Sequence, residues 1–411
     1  MGKREDDHGA DVGPLITNDS PLTRPDDDTC PKEDHEIRSA DKIGLCLSGG
    51  GYRAMVFHLG ALRRLNEVGY LARLADGGRI SSVSGGSVTA AVLGLGWKDL
   101  VWDGDVATNL EKILIDPVLT VARESIDLNA FLHGIIKPGR SRADELAQKL
   151  RELVFGNNTL QDLPSDDEGP RFVINATNLQ TGGLFRFSKP YQGDCSIGFW
   201  NDPETPIADA VAASAGFPPV LSPHELSAYG TFDPETASEN AGGRLMRVHE
   251  LGDGGIFDNL GLETVWNCYR TVLISDGGAE LDVEQDPGNS AIVHAVRAAL
   301  VVDQQVRDLR KLQAVGGYCT TDPDNKRFGT YWSIRSKSHN YRLSDRLNFQ
   351  HRGEQHPRYI PTRFKRLEEV EIEDLLEWGY VITDTAMRTW VTKNASRPYQ
   401  IDERYSRVSG K

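Results

Sequence analysis

Two short stretches decide how this chain folds: Ser48-Gly49-Gly50-Gly51-Tyr52-Arg53 and Ser82-Val83-Ser84-Gly85-Gly86-Ser87. A short strand pattern precedes each stretch, at 43–47 and at 79–83, and a helical pattern follows each. Strand, glycine loop, helix, second strand and serine turn form a βαβ unit, from which parallel sheets are built. The sequence therefore predicts an α/β fold.

Ser84 lies on the second of these turns, and we interpret it as a nucleophile. Its hydroxyl would project over the N-terminus of the following helix, where backbone N–H groups and the helix dipole favour negative charge. The turn is close to the G-x-S-x-G nucleophile elbow, but Ser82 stands in place of the first glycine. Serine is also small, so this departure is mild.

The three glycines of the first stretch present backbone N–H groups without side-chain obstruction, which suits an anion. The stretch is not a nucleotide P-loop, because no Gly-Lys-Ser or Gly-Lys-Thr follows it, and it does not match G-x-G-x-x-G. An oxyanion hole and a merely tight turn remain as interpretations. The serine turn one βα unit later favours the oxyanion hole.

A serine hydroxyl needs a base, because the neutral group is a poor nucleophile. His58, His224 and His249 lie in no telling motif, and each is more often a packed or solvated residue than a catalyst. Asp253 and Asp276 both follow a predicted strand and precede two glycines, so this pattern does not separate them. A carboxylate base would require a raised pKa or a short contact with the serine.

Composition places the chain among globular proteins: 411 residues, 39% hydrophobic and 26% charged. A formal net charge of −14 argues against nucleic acid as a partner and against purely electrostatic adhesion to an anionic bilayer. A local apolar patch is still compatible with transient contact at a membrane surface. Oligomeric state is beyond what the composition indicates.

The five cysteines favour a reducing compartment over a disulfide framework, because they are scattered, odd in number and without a C-x-x-C pair. They also provide no zinc signature. The chain has no run of about 18 apolar residues and no apolar N-terminal run of signal-peptide length. We expect a cytoplasmic protein, with peripheral contact at membranes as an option.

The chain is expected to hold one catalytic domain, at 41–411, after a flexible tail at 1–40. The tail carries eleven acidic and five basic residues and few large apolar ones, so it cannot offset its ordering entropy. Residues at about 97–170 are mostly helical and polar, and we expect an insertion that covers or borders the site. The stretch at about 365–395 is an amphipathic helix that completes the domain.

One further helix is expected from about Ala291 to Gln313. Its apolar residues recur at helical spacing, so this face should pack on the sheet. The face consists of Ile292, Val296, Ala299, Val302, Val306 and Leu309.

Several motifs, in this order along the chain, resemble the patatin-like phospholipase family. They are residues 48–55, Ser84 in S-x-S-x-G, and Asp253-Gly254-Gly255 shortly before Asp258-Asn259. The first of them also looks like the related cytosolic phospholipases, and weaker echoes lie at 175–182 and 212–219. The resemblance implies a three-layer α/β/α sandwich with a mainly parallel central sheet and a Ser–Asp dyad without histidine.

Carried over residue by residue, the resemblance makes Ser84 the nucleophile and Asp253 the base. It separates Asp253 from Asp276, because Gly-Gly-x-x-Asp-Asn follows only the former. It implies that Gly49, Gly50 and Gly51 form the oxyanion hole.

The resemblance also implies that Arg53 orients substrate or binds its phosphate. Ser82 and Ala54 depart from the family pattern, each in place of a glycine. Neither departure removes a reacting group.

The activity implied is that of a lipid acyl hydrolase that cleaves carboxylic esters of phospholipids or lysophospholipids through an acyl-enzyme, with no metal or organic cofactor. Two alternatives remain open from the residues. One is an acyltransferase that uses the same dyad, and the other is a catalytically silent lipid- or partner-binding protein.

Overall fold

The computed structural model describes residues 41–125, 142–218, 221–278, 280–281, 283–285, 290–349, 356–361 and 364–392. The expected tail at 1–40 lies outside these residues. The strands are β1 (Ile43–Leu47), β2 (Arg79–Val83), β3 (Trp102–Asp103), β4 (Val106–Ala107), β5 (Arg171–Asn178), β6 (Leu184–Phe187), β7 (Tyr191–Asp194), β8 (Gly198–Asn201), β9 (His224–Ser227), β10 (Thr231–Phe232), β11 (Val248–Asp253), β12 (Thr271–Asp276) and β13 (Phe328–Ser333).

The α-helices are α1 (Gly51–Glu67), α2 (Tyr70–Leu74), α3 (Gly85–Leu95), α4 (Asp116–Ala122), α5 (Arg142–Leu150), α6 (Ile207–Ser214), α7 (Gly255–Asp258), α8 (Glu263–Trp266), α9 (Ala291–Cys319) and α10 (Glu369–Trp390). Two π-helical segments lie at Glu111–Ile115 and Arg151–Phe155. Short 3-10 turns lie at Trp97–Asp99, Leu160–Asp162, Pro234–Thr236, Ser338–Tyr341 and Pro357–Tyr359.

The central sheet is parallel in its middle and antiparallel at one side. Strands β5, β2, β1, β12 and β13 lie next to one another in that order, and each neighbouring pair is parallel. An antiparallel extension, β6, β7, β8 and β10, continues from β5, and β11 also pairs with β5 antiparallel. The predicted parallel centre is confirmed, and the antiparallel extension is an addition to it.

Helices cover both faces of the parallel centre. They must do so because successive buried side chains of β1 point to opposite faces of the sheet. Ile43, Leu45 and Leu47 point into the large core beneath α1, α3 and α10. Cys46, between them, packs in a second core with side chains of α8 and with Ala314 of α9. The expected three-layer α/β/α sandwich is confirmed.

Helix α9 lies where the sequence predicts a helix, but it is turned differently about its axis. Val302 and Leu309, expected to face the sheet, are exposed. The inward face instead carries Arg307 and Ala314, and the helix packs against β13 and α7. The predicted packing face is therefore wrong. Ile292 also belongs to that predicted face, but its side chain is not among those that the structure describes.

One cysteine also departs from expectation. Cys195 is disulfide-bonded, whereas Cys46, Cys268 and Cys319 are free. The spacing of cysteines along a sequence does not indicate which of them approach each other in space. No helix in the described ranges is long and apolar enough to cross a membrane.

Candidate active site

Ser84 lies on a strained turn between β2 and α3. Its φ of 51° and ψ of −121° are unusual for a residue other than glycine, and such strain is typical of a nucleophile elbow. The residue is the N-cap of α3, which has no acidic residue in its first turn. The hydroxyl therefore lies at the positive end of a helix dipole.

The turn can form only because its neighbours are small. A Cβ on Gly85 would lie 2.0 Å from the carbonyl oxygen of Gly51, so the serine turn and the glycine loop touch through backbone atoms. The departure at Ser82 is accommodated by hydrogen bonds. Its hydroxyl donates to the Val173 carbonyl at 3.3 Å and accepts from the Ser87 hydroxyl at 3.2 Å.

A second serine, Ser214 at the end of α6, holds the nucleophile's backbone. Its Oγ accepts a hydrogen bond from the Ser84 N–H at 2.9 Å and donates one to the Asn175 carbonyl at 2.6 Å. Ser214 lies within the motif echo at 212–219, but the sequence assigns it no role. The serine ending a small-residue helix was the only signal available.

Asp253 is the last residue of β11, and the Ser84 side chain lies close enough to its carboxylate to favour the charged form. The Gly255 N–H donates to the same carboxylate at 2.7 Å. Burial raises the pKa of Asp253 from 3.8 to about 7, and the nearby Asp303 adds to the rise, while the hydrogen bond from the Gly255 N–H and the nearby Ser84 side chain oppose it. This carboxyl group thus titrates near neutral pH.

Asp276, which shares the sequence context of Asp253, serves a different purpose. Its carboxylate accepts from Tyr331 at 2.6 Å and from the Gly278 N–H at 2.8 Å. Burial alone would raise the pKa of Asp276, but the Arg307 and Arg335 charges outweigh burial and lower it. This aspartate holds the loop after β12 as a fixed anion.

The histidines considered from the sequence lie away from the serine. His58 is buried between the Ser275 hydroxyl and the Ser48 carbonyl, each at 2.9 Å, and burial lowers its pKa to about 4. His224 lies near Asp144 and Asp209, and His249 packs on Phe185 and Trp200. No histidine in the described ranges lines the cavity at Ser84.

In the glycine loop, one N–H group is used in a backbone hydrogen bond and two belong to residues that line the cavity. The Gly49 N–H donates to the Asn259 carbonyl at 3.0 Å, so it is already used and departs from its expected role. Gly50, with φ of 146°, is the N-cap of α1, and Gly51 begins that helix. Both line the cavity, and their N–H groups donate to no carbonyl in the described part of the chain.

Arg53 lies behind this loop and is buried. Its Nε donates to the Gly277 carbonyl at 3.1 Å and its Nη1 to the Ile360 carbonyl at 2.7 Å. It is not among the described residues that line the cavity. The side chain ties the start of α1 to two distant segments.

The cavity at Ser84 and Asp253 has a volume of roughly 330 Å³ and a largely apolar wall. Arg307 of α9 is the only cation among its described lining residues, and it pairs with Asp303 at 2.8 Å. Neither residue was singled out from the sequence as part of the site. The apolar side chains of the wall are Ala215, Phe217, Leu221, Leu281, Leu300 and Phe364.

Within the described residues, no group of three or more His, Cys, Asp or Glu side chains is placed to hold a metal ion. The cavity therefore offers a serine, a carboxyl group that titrates near neutral pH and two N–H groups of a glycine loop. Together these can carry out nucleophilic attack on a carbonyl carbon.

The chain is similar in structure to human GIVD cytosolic phospholipase A2, at 14% identity and a TM-score of 0.47, over 87% of this chain and 62% of the other. It is also similar to the same enzyme in complex with methyl gamma-linolenyl fluorophosphonate, at 13% identity and a TM-score of 0.49, over 87% of this chain and 58% of the other. A third similar structure is VipD from Legionella pneumophila, at 14% identity and a TM-score of 0.34, over 85% of this chain and 67% of the other. The chain thus spans about three fifths of the human structures.

No curated protein matches the chain. The model of the family described as patatin-like phospholipase matches residues 45–266, which is more than half of the 411 residues. That range contains both glycine-rich turns, Ser84 and Asp253. The chain belongs to the patatin-like phospholipase family.

Proposed function

We propose that this protein is a lipid acyl hydrolase that cleaves carboxylic esters of phospholipids or lysophospholipids with Ser84 and Asp253. The observation that carries the proposal is that Ser84 and the buried Asp253 carboxylate line the same apolar cavity, close enough for the serine side chain to stabilise the charged carboxylate. An apolar wall suits the acyl chain of a lipid, and polar groups at one end suit its ester.

In the first half-reaction, Asp253 takes the proton of the Ser84 hydroxyl as Oγ attacks the ester carbonyl. A base works best when its pKa lies near the working pH, and the pKa of about 7 meets this condition. The tetrahedral intermediate collapses, the alcohol leaves with the proton from Asp253, and the acyl group stays on Ser84. Water then attacks the acyl-enzyme with Asp253 again as the base, and the fatty acid is released.

The negative charge on the carbonyl oxygen is stabilised by the N–H groups of Gly50 and Gly51. The N-termini of α1 and α3 both lie at this point, and their dipoles add to the effect. Each such donor contributes on the order of 10²–10³ to the rate. Gly49, with its N–H on Asn259, shapes the loop, and Arg53 positions the loop from behind.

The experiment is labelling by a fluorophosphonate probe, together with fatty-acid release from phosphatidylcholine and lysophosphatidylcholine vesicles. Ser84→Ala should abolish both, and Asp253→Asn should reduce release by at least about 10³-fold. Ser82→Ala is the matched control, because this buried serine lies two residues away with its hydroxyl on Val173 and Ser87. It should keep its labelling.

Labelling or release that survives Ser84→Ala would refute the proposed nucleophile. Glycerol added to the assay separates hydrolysis from transfer, because an acyltransferase would yield acylglycerol in place of fatty acid. Lipid binding without turnover by the wild type would identify a silent binding protein and overturn the proposal.

A further inference from the structure

Helix α9 turns apolar side chains toward solvent. Leu309 and Leu312 are 65% and 66% exposed, and Val302 is 56% exposed. We call the exposed large apolar residues between positions 301 and 315 of this helix the α9 stripe. It consists of Val301, Val302, Leu309, Leu312 and Val315.

The inward face of the same helix carries charge. Arg307 pairs with Asp303 at 2.8 Å, and Arg310 pairs with Glu263 at 2.5 Å. A surface helix ordinarily places its apolar side chains inward and its charges in water. This arrangement gives up hydrophobic burial at the stripe, and exposed apolar surface of this kind marks an interaction site.

The stripe lies on the helix that walls the catalytic cavity. Leu300, Asp303, Gln304 and Arg307 face the cavity from one side of α9, and the stripe lies on the other side. Helix α7, which follows Asp253 directly, packs against α9 and adds the exposed Ile256. The apolar surface therefore borders the proposed site.

The charge around the stripe indicates what it contacts. From 301 to 316, the exposed positions of α9 include no Lys or Arg, and the polar ones among them are Gln305 and Asp308. With a net charge of −14 on the chain, attraction to an anionic bilayer is not supported. An apolar face without cations fits the interface of a zwitterionic bilayer, where burial of hydrocarbon provides the binding energy.

We propose that the α9 stripe docks the protein on a zwitterionic phospholipid surface and so places the cavity beside its lipid substrate. This inference rests on the proposed function, since an ester of a membrane lipid must be reached from the lipid surface. A second copy of the chain is the competing occupant of the stripe.

The test measures co-sedimentation with phosphatidylcholine vesicles in a Ser84→Ala background, so that binding is read without turnover. The double variant Leu309→Asp/Leu312→Asp should lower the vesicle partition coefficient at least about tenfold. Val302→Asp should lower it less. Val101→Asp is the matched control, because Val101 is 58% exposed and lies outside α9, and it should bind like the parent.

With Ser84 restored, the ratio of vesicle turnover to turnover of a soluble short-chain ester should fall at least about tenfold in the double variant. Leu309→Gln/Leu312→Gln repeats the test with uncharged side chains, and circular dichroism checks folding. Absence of vesicle binding by the parent, equal loss with Val101→Asp, or no loss in either double variant would overturn the inference.

Light scattering measures the molar mass in solution and so tests whether a second copy of the chain occupies the stripe. A dimer that the stripe variants dissociate, with vesicle binding unchanged, would assign the stripe to a second copy and overturn docking on lipid. Failure of the proposed function gives a different result from failure of the docking inference. The protein with Ser84 intact would then bind vesicles through the stripe and release no fatty acid from either substrate.

Discussion

Replacing Asp253 by asparagine should remove activity and yet raise the stability of the folded protein at neutral and alkaline pH. Burial raises the pKa of this carboxyl group from 3.8 to about 7, so the folded state prefers it protonated. For such a group the favourable contribution is complete below the unfolded pKa and is lost as pH rises through the folded pKa. Asparagine, which carries no charge, avoids that loss.

The displacement from 3.8 to about 7 corresponds to about 4 kcal/mol at pH values above both. Between about pH 5 and about pH 8, the wild type should lose about 2.5 kcal/mol of unfolding free energy relative to Asp253→Asn. Urea unfolding of both proteins at the two pH values measures this difference, with equal m-values as the check that the transitions are comparable.

Asp276→Asn is the control, because Asp276 has the same local sequence and the opposite electrostatic setting. Its pKa is lowered, so its charged form stabilises the fold above the unfolded pKa, and its replacement should destabilise the protein near neutral pH. A stability difference for Asp253→Asn that does not change with pH, or that favours the wild type at about pH 8, would refute the reasoning.

Three further predictions concern the same site. The kcat/KM on a soluble ester should rise with pH up to about 7 and level off above, since Asp253 must lose its proton to act as base; a flat profile from about pH 5 to 8 would contradict that role. Gly85→Ala should destabilise by about 1–3 kcal/mol and lower activity, because its Cβ would meet the Gly51 carbonyl at 2.0 Å, whereas Gly242→Ala, with open space around it, should change urea unfolding by less than about 0.5 kcal/mol. Ser214→Ala leaves the Ser84 N–H without its acceptor, so it should cost about 1–3 kcal/mol in unfolding free energy and lower kcat more than it raises KM; an unchanged melting curve would contradict this.

The position of the candidate nucleophile could be predicted because its signals are local. A strand, a small-residue turn and a helix follow one another within residues 79–95, and each is encoded by neighbouring side chains. The same holds for β1 and the glycine loop before α1. Backbone conformations that need glycine, and periodicities that follow a strand or helix, are readable without knowledge of distant contacts.

The different roles of Asp253 and Asp276 could not be predicted from the residues next to them in sequence. Asp253 and Asp276 each end a buried strand before two glycines. What differs is their surroundings: Ser84 and the nearby Asp303 for one, Arg307, Arg335 and Tyr331 for the other. Before the fold is known, only the resemblance to a family distinguishes the two aspartates.

Local sequence patterns are enough to predict the α/β architecture, the parallel centre of the sheet and the turn that carries Ser84. Three other features depend on contacts between distant segments: Gly49 donates to Asn259, two backbone carbonyls hold Arg53, and α9 presents Leu309 to solvent. The reason is physical. Secondary structure follows from nearby residues, whereas the partners of an N–H group, a guanidinium or a helix face come from segments tens to hundreds of residues away, which meet only in the folded chain.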